Sequence, residues 1–167
     1  VTFETASIGT WVNLKKLTLA ESTVVFKKVV VRSTVTDTAA SPSAVVTIPS
    51  CPNFDTIDAT KANVTFGDFS FRFNGAIKHI LLSSGHTYNF GQYAFHRSAI
   101  EEVILPDNST VSLAIKAFAE TKTLTYVYVG ANCLTERVNG KVALGSDNSS
   151  SVLGGNGSLS KVVLMDV

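Results

Sequence analysis

The chain repeats itself, and that feature limits its possible folds more than any other. Residues 66–82 read FGDFSFRFNGAIKHILL, residues 90–105 read FGQYAFHRSAIEEVIL and residues 113–129 read LAIKAFAETKTLTYVYV. Each begins with an apolar residue, places a Phe five positions later and ends in an apolar-x-x-apolar-x-apolar run. The matching residues Phe71, Phe95 and Phe118 are spaced 24 and 23 residues apart. A unit of that length cannot bury its own apolar face, so it must stack on its neighbours.

Weaker copies extend the series. Phe3, Ile8 and Leu14 keep its order, FDTIDA at 54–59 lies 23 residues before IKHILL, and LSKVVL at 159–164 closes it. Six short segments share one form: Leu14-Leu17-Leu19, Phe54-Ile57-Ala59, Ile77-Ile80-Leu82, Ile100-Val103-Leu105, Leu124-Val127-Val129 and Leu159-Val162-Leu164. Their starts are 40, 23, 23, 24 and 35 residues apart. The two long intervals are the same unit carrying insertions, since Phe26 and Val138 hold the position of Phe66, Phe90 and Leu113. A period of this length with an L-x-x-L-x-L core is the signature of leucine-rich repeats. The expected fold is a repeat solenoid with a parallel β-sheet of about six short strands, mostly β and irregular, with little helix.

The FGQYAF segment, its near copies LAIKAF and FGDFSF, and the Leu-type strand ending in ILP at residues 104–106 resemble the BspA-like (Treponema-type) leucine-rich repeats. The resemblance is clearest between residues 54 and 130; the Cys or Asn often found after the Phe in that family is absent here. It implies a secreted or surface-exposed protein that contacts host proteins or other cells.

Within each run the apolar positions are expected to point inward and the intervening ones outward, because strand side chains alternate. Phe71, Phe95 and Phe118 then form an aromatic spine. The outward residues fall into columns. The first two hold Lys15 and Lys16, Asp55 and Thr56, Lys78 and His79, Glu101 and Glu102, Thr125 and Tyr126, then Ser160 and Lys161. Basic and acidic rungs alternate at a strand spacing of about 4.8 Å, so these charges are expected to pair with one another. The third column runs Thr18, Asp58, Leu81, Ile104, Tyr128 and Val163 and turns apolar over its last four positions. Leu81, Ile104, Tyr126, Tyr128 and Val163 are therefore the expected binding residues, since a contiguous exposed apolar patch signals contact. The competing reading is that an insertion or a neighbouring chain covers the column.

Composition supports one globular domain over residues 1–167, with 45% hydrophobic and 16% charged residues. A formal net charge of +1 supplies no field for nucleic acid. The most apolar run, residues 24–31, is broken by Lys27 and Lys28 and is shorter than the roughly 20 residues of a membrane span. A chain starting at Val1 reads as a processed protein or a segment of a longer one. Residues 27–53 form one insertion, with two Val- and Thr-rich runs that suggest a projecting hairpin. Residues 139–158, rich in Gly, Ser and Asn, read as a flexible loop. Cys51 and Cys133 are placed roughly 14 Å apart along the stack, too far for a disulfide. The Asn-x-Ser/Thr matches at Asn63, Asn108, Asn148 and Asn156 carry no weight in a chain this rich in those residues.

No catalytic constellation emerges. His79, His86 and His96 lack metal-ligand spacing and read as surface or turn histidines, and no G-x-S-x-G or P-loop is present. Glu101 and Glu102 are adjacent and stand beside Lys78, whereas a glycosidase needs two carboxylates facing each other in a cleft. The expected function is non-catalytic and needs no cofactor or metal: a cell-surface binding or adhesion module, extracellular, contacting a protein or glycan on a host or neighbouring cell. The alternative is a spacer or assembly domain, in a fibre, surface layer or virion appendage, that contacts flanking domains of its own chain.

Overall fold

The strands of this chain pair in parallel, most across 23 or 24 residues and the rest across 35 or 40. In a computed structural model, residues 2–3, 14–20, 23–26, 53–134 and 151–165 are described, and none of them is helical. Eleven strands are present among them: β1 (Thr2–Phe3), β2 (Lys16–Thr18), β3 (Thr23–Phe26), β4 (Thr56–Asp58), β5 (Asn63–Phe66), β6 (His79–Leu81), β7 (Thr87–Phe90), β8 (Glu102–Leu105), β9 (Thr110–Leu113), β10 (Tyr126–Val129) and β11 (Lys161–Leu164). They form a five-stranded sheet in the order β1-β3-β5-β7-β9 and two three-stranded sheets, β2-β4-β6 and β8-β10-β11. Every described pairing is parallel.

The six segments of the sequence pattern correspond to β2, β4, β6, β8, β10 and β11. They do not make one sheet of six, because no strand pairing joins β6 to β8. Single contacts bridge that junction: the Glu101 amide donates to the Lys78 carbonyl at 3.1 Å. The five-stranded sheet was not expected as strands. Its members are only two to four residues long, and the pattern marked just the apolar residue at their ends. That residue keeps strict register, Phe3 beside Phe26, Phe26 beside Phe66, Phe66 beside Phe90 and Phe90 beside Leu113.

Between the sheets the chain makes turns that are neither helix nor strand, at residues 68–73, 92–97, 115–120 and 152–155. These turns also bond sideways. Phe69, Phe71 and Phe73 donate their amides to the carbonyls of Gln92, Ala94 and His96 at 2.9, 2.7 and 2.9 Å. Tyr93, Phe95 and Arg97 donate to Ile115, Ala117 and Ala119 at 3.1, 2.7 and 3.0 Å. The first three of these turns each place a left-handed residue near both ends: Phe69 and Phe73, Tyr93 and Arg97, Lys116 and Glu120, with φ between 53° and 61°. A side chain in that region costs about 1–2 kcal/mol, and the lateral hydrogen bonds offset it. The segment around Phe95 has neither helical nor strand periodicity because it is such a turn.

The core is a double column of phenylalanine rings. Phe71 stacks on Phe95 at 5.1 Å and Phe95 on Phe118 at 5.5 Å, with interplanar angles of 7° and 9°. A second column, Phe26, Phe66 and Phe90, rises from the five-stranded sheet with centroids 5.6 and 4.9 Å apart. The columns meet edge to face, Phe26 against Phe71 at 5.1 Å and Phe66 against Phe95 at 5.2 Å. All six rings are essentially fully buried. Tyr88 joins them and satisfies its hydroxyl by donating to the Ala59 carbonyl at 3.0 Å while accepting from the Ser83 amide at 3.0 Å.

The end of the chain departs from the sequence reading in two ways. Residues 151–158 were expected within a flexible loop, yet Val152 and Leu153 are buried and the Phe118 amide donates to the Val152 carbonyl at 3.0 Å. By that register Leu153 stands where Phe118 stands one turn earlier. Asn156 fixes the turn, accepting from the Thr121 amide at 2.5 Å and donating to the Phe118 carbonyl at 2.9 Å. In β11 the expected inward residues Val162 and Leu164 are 44% and 47% exposed, because β10 covers only one of its edges among the described residues. The hairpin expected over 27–53 falls outside the described residues except for Asn53, as do Val138, Cys51 and residues 139–150. Cys133 is a free, buried thiol whose pKa burial pushes up.

Two stability predictions follow from this packing. Phe95→Ala removes the ring that both columns touch and is expected to cost about 3–5 kcal/mol in urea unfolding, whereas Ile115→Ala, at a 45% exposed site, should stay within about 0.5 kcal/mol. Gly91→Ala should cost more than about 1 kcal/mol, because a Cβ there would sit 2.7 Å from both the backbone nitrogen and Oδ1 of Asp68.

Candidate functional site

The outward face of the six short strands carries the residues singled out by sequence. Charge accounts for one end of it. Lys16 Nζ lies 2.6 Å from Asp58 Oδ2, Lys78 Nζ 3.1 Å from Glu101 Oε1, and His79 Nδ1 3.8 Å from Glu102 Oε1. The hydrogen bond from Lys16, with a second from Thr60, holds the Asp58 carboxyl below its ordinary pKa. The Lys78 and His79 pairs span the junction between the two three-stranded sheets. The two lysine–carboxylate pairs contribute about 0–1 kcal/mol each, and the His79 contact is an ion pair only when the imidazole is protonated.

What the pairs leave uncovered is apolar. Leu81 on β6 is 39% exposed and Ile104 on β8 is 40% exposed. Register places Leu81 beside Asp58 in one sheet, and Ile104 beside Tyr128 and Tyr128 beside Val163 in the other. The column is therefore split between two sheets rather than continuous. Tyr126 and Tyr128 are half-buried on β10, and Val163 is half-buried on β11. Tyr128 donates its hydroxyl to Asp107 Oδ1 at 3.0 Å, which raises the phenol pKa. Lys161 Nζ lies 5.6 Å from the Tyr126 ring centre, a cation–π contact that fixes the ring's outer neighbour. Phe71, Phe95 and Phe118 are internal and take no part in this face.

A second cluster, on the turn ladder, was not anticipated. Arg72 is only 7% exposed, and its guanidinium carbon lies 4.7 Å from the ring centre of Phe73 and 5.2 Å from that of Tyr93. Its Nε donates to His96 Nδ1 at 3.4 Å, which puts the proton of the neutral imidazole on Nε2, 3.3 Å from Glu120 Oε1. Glu120 Oε2 accepts from Arg97 Nε and Nη2 at 2.8 and 2.6 Å. Partial burial pushes Glu120 up, but the hydrogen bonds from Arg97 and His96 win and hold it below its ordinary value. His96, read from sequence as a surface or turn histidine, does lie in a turn but is 3% exposed. Burial, aided by the charges of Arg72 and Arg97, depresses its pKa to about 4 against the pull of Glu120. The only sequence signal for this cluster was that Arg72, His96 and Glu120 recur at 24-residue intervals. No group of three or more His, Cys, Asp or Glu residues able to hold a metal occurs among the described residues.

Comparison with protein-family models, with curated proteins and with solved structures finds no match to this chain.

The buried histidine sets a pH dependence. The unfolded ring titrates near 6.5 and the folded ring near 4, so between those values only the unfolded chain takes up the proton. Acid is therefore expected to weaken the fold from about pH 6.5 to about pH 4, by at most about 3 kcal/mol, with no contribution from this residue above that window. Loss of Glu120 ionisation adds to the fall at the acid end. Urea midpoints measured across this range should decline, and His96→Gln should flatten the part of the slope between pH 6.5 and 4.

Proposed function

We propose that this chain is a leucine-rich-repeat solenoid of the BspA-like kind, acting as a non-catalytic adhesion module at a cell surface. Its outward strand face, with Leu81, Ile104, Tyr126, Tyr128 and Val163, engages a protein or glycan on a host or neighbouring cell. The observation that carries this reading is the exposure of Leu81 and of Ile104, which stands beside Tyr128, on a face where Lys16 pairs with Asp58 and Lys78 with Glu101. Large aliphatic side chains next to aromatic anchors are what a binding surface uses, and paired charges cost little to cover. The 23- and 24-residue spacing of the strands, and their parallel pairing at matched register, support the repeat assignment. On this reading residues 1–167 form one domain.

A second reading, a spacer or assembly unit, draws on the other apolar exposure. Val162, Leu164 and Met165 are 44%, 47% and 47% exposed around β11, which suits end-to-end stacking on a flanking domain. The two readings part on one experiment. Wild type and a Leu81→Asp, Ile104→Asp, Tyr128→Asp variant, matched by circular dichroism, are presented to purified host matrix proteins, a glycan array and flanking domains. The adhesion reading expects binding to a matrix protein or glycan that weakens about tenfold or more in the variant. Equal binding by both proteins would remove the strand face from the mechanism, and binding confined to flanking domains would leave the spacer reading in its place.

A further inference from the structure

A cavity of about 490 Å³ opens at the corner where the turns run into the short strands, lined by Arg97, Ser98, Glu120, Lys122 and Gly155. Its volume lies within the usual range for small-molecule sites, roughly 300–1,000 Å³. It stands apart from the strand face and shares none of its residues. We propose that this corner is a binding site for an acidic monosaccharide unit, one carrying both a carboxylate and hydroxyl groups.

The inventory of the walls carries the proposal. Arg97 and Lys122 bring two positive charges and Glu120 one negative, so the lining holds a net single positive charge that one carboxylate would neutralise. Arg97 uses Nε and Nη2 on Glu120, and Lys122 is exposed and makes no ion pair with the described residues. Lys122 is thus the charge with no internal use. Ser98 is 7% exposed, and its buried hydroxyl has no hydrogen-bond partner among the described residues. Ser98 therefore brings to this wall a hydroxyl whose hydrogen-bonding capacity no described residue uses. Glu120 selects the ligand class. Its carboxylate repels a multiply charged anion such as phosphate but accepts hydrogen bonds from hydroxyl groups, and a uronate-type sugar offers a single negative charge together with several hydroxyls.

The arrangement is also held still. Glu120 is fixed by Arg97 on one side and by buried His96 on the other, and its amide donates to the Gly154 carbonyl at 2.7 Å. Gly155 follows with φ of 75°, so the far wall is a glycine turn. A prearranged wall loses less entropy on binding than a loose one.

The test is a ¹⁵N-HSQC titration of the 167-residue chain at constant ionic strength, with sodium glucuronate, glucose and inorganic phosphate as probes. Glucuronate is expected to give saturable shifts at Ser98, Lys122 and Gly155, and glucose none. Lys122→Ala should weaken glucuronate about tenfold and Ser98→Ala severalfold, with the remaining resonances unmoved as the sign of an intact fold. The Leu81→Asp, Ile104→Asp, Tyr128→Asp variant should keep these shifts, which separates failure of this site from failure of the strand face. Absence of saturable glucuronate shifts, or equal shifts in Lys122→Ala, overturns the site. Phosphate binding as tightly as glucuronate overturns the saccharide assignment.

Discussion

The stacking of phenylalanine rings is the interaction on which the rest of this structure depends. Parallel strands sit about 4.8 Å apart, and that spacing nearly equals the distance at which two flat rings stack in contact. Residues at the same place in successive units therefore become ring neighbours, with Phe71 on Phe95 at 5.1 Å and Phe66 on Phe90 at 4.9 Å. Two columns packed edge to face fill the interior between the sheets beside aliphatic residues such as Ile57, Ile77, Ile100 and Leu124. The left-handed residues in the turns, and the close approach of Gly91 to Asp68, are local costs borne because the columns hold the backbone in place.

Polar groups inside this arrangement are tied to the same period. Arg72 is buried against aromatic faces and passes a hydrogen bond to His96, whose other nitrogen meets Glu120. A buried guanidinium is costly unless its donors are used, and the chain answers with rings and an imidazole from neighbouring turns. The network links three consecutive turns by side chains, alongside the backbone ladder that already joins them. It also places Glu120 at the corner cavity with both carboxylate oxygens engaged.

The two surfaces argued for binding differ in physical character. On the strand face, Lys16 and Lys78 are paired with carboxylates beside exposed aliphatic and aromatic area, so contact there would gain from removing apolar surface from water. At the corner, charges of both signs remain with one lysine in excess, so recognition there would rest on charge and hydrogen bonding.

Much of this architecture was legible in the sequence, for a definite reason. A strand side chain that must face the core can be read from alternation, and a unit that must stack can be read from its period. The positions of β2, β4, β6, β8, β10 and β11 follow from those two rules, as does the outward placement of Leu81 and Ile104. The five-stranded sheet escaped although β3, β5, β7 and β9 are no shorter than these, because the recurring pattern fixed only the apolar residue at each strand's end and left the residues before it without a shared form. Leu153 escaped because an aliphatic residue stands at the ring position amid Gly, Ser and Asn, although its six-residue distance to Leu159 repeats that from Phe118 to Leu124. The sequence alone determined that identical places in successive units would be neighbours, since period and alternation are properties of the chain. Only the tertiary structure decided that Arg72, His96, Arg97 and Glu120 meet, and that β6 and β8 do not pair. Those outcomes depend on side-chain reach and small offsets between neighbouring turns, which spacing along a chain does not encode.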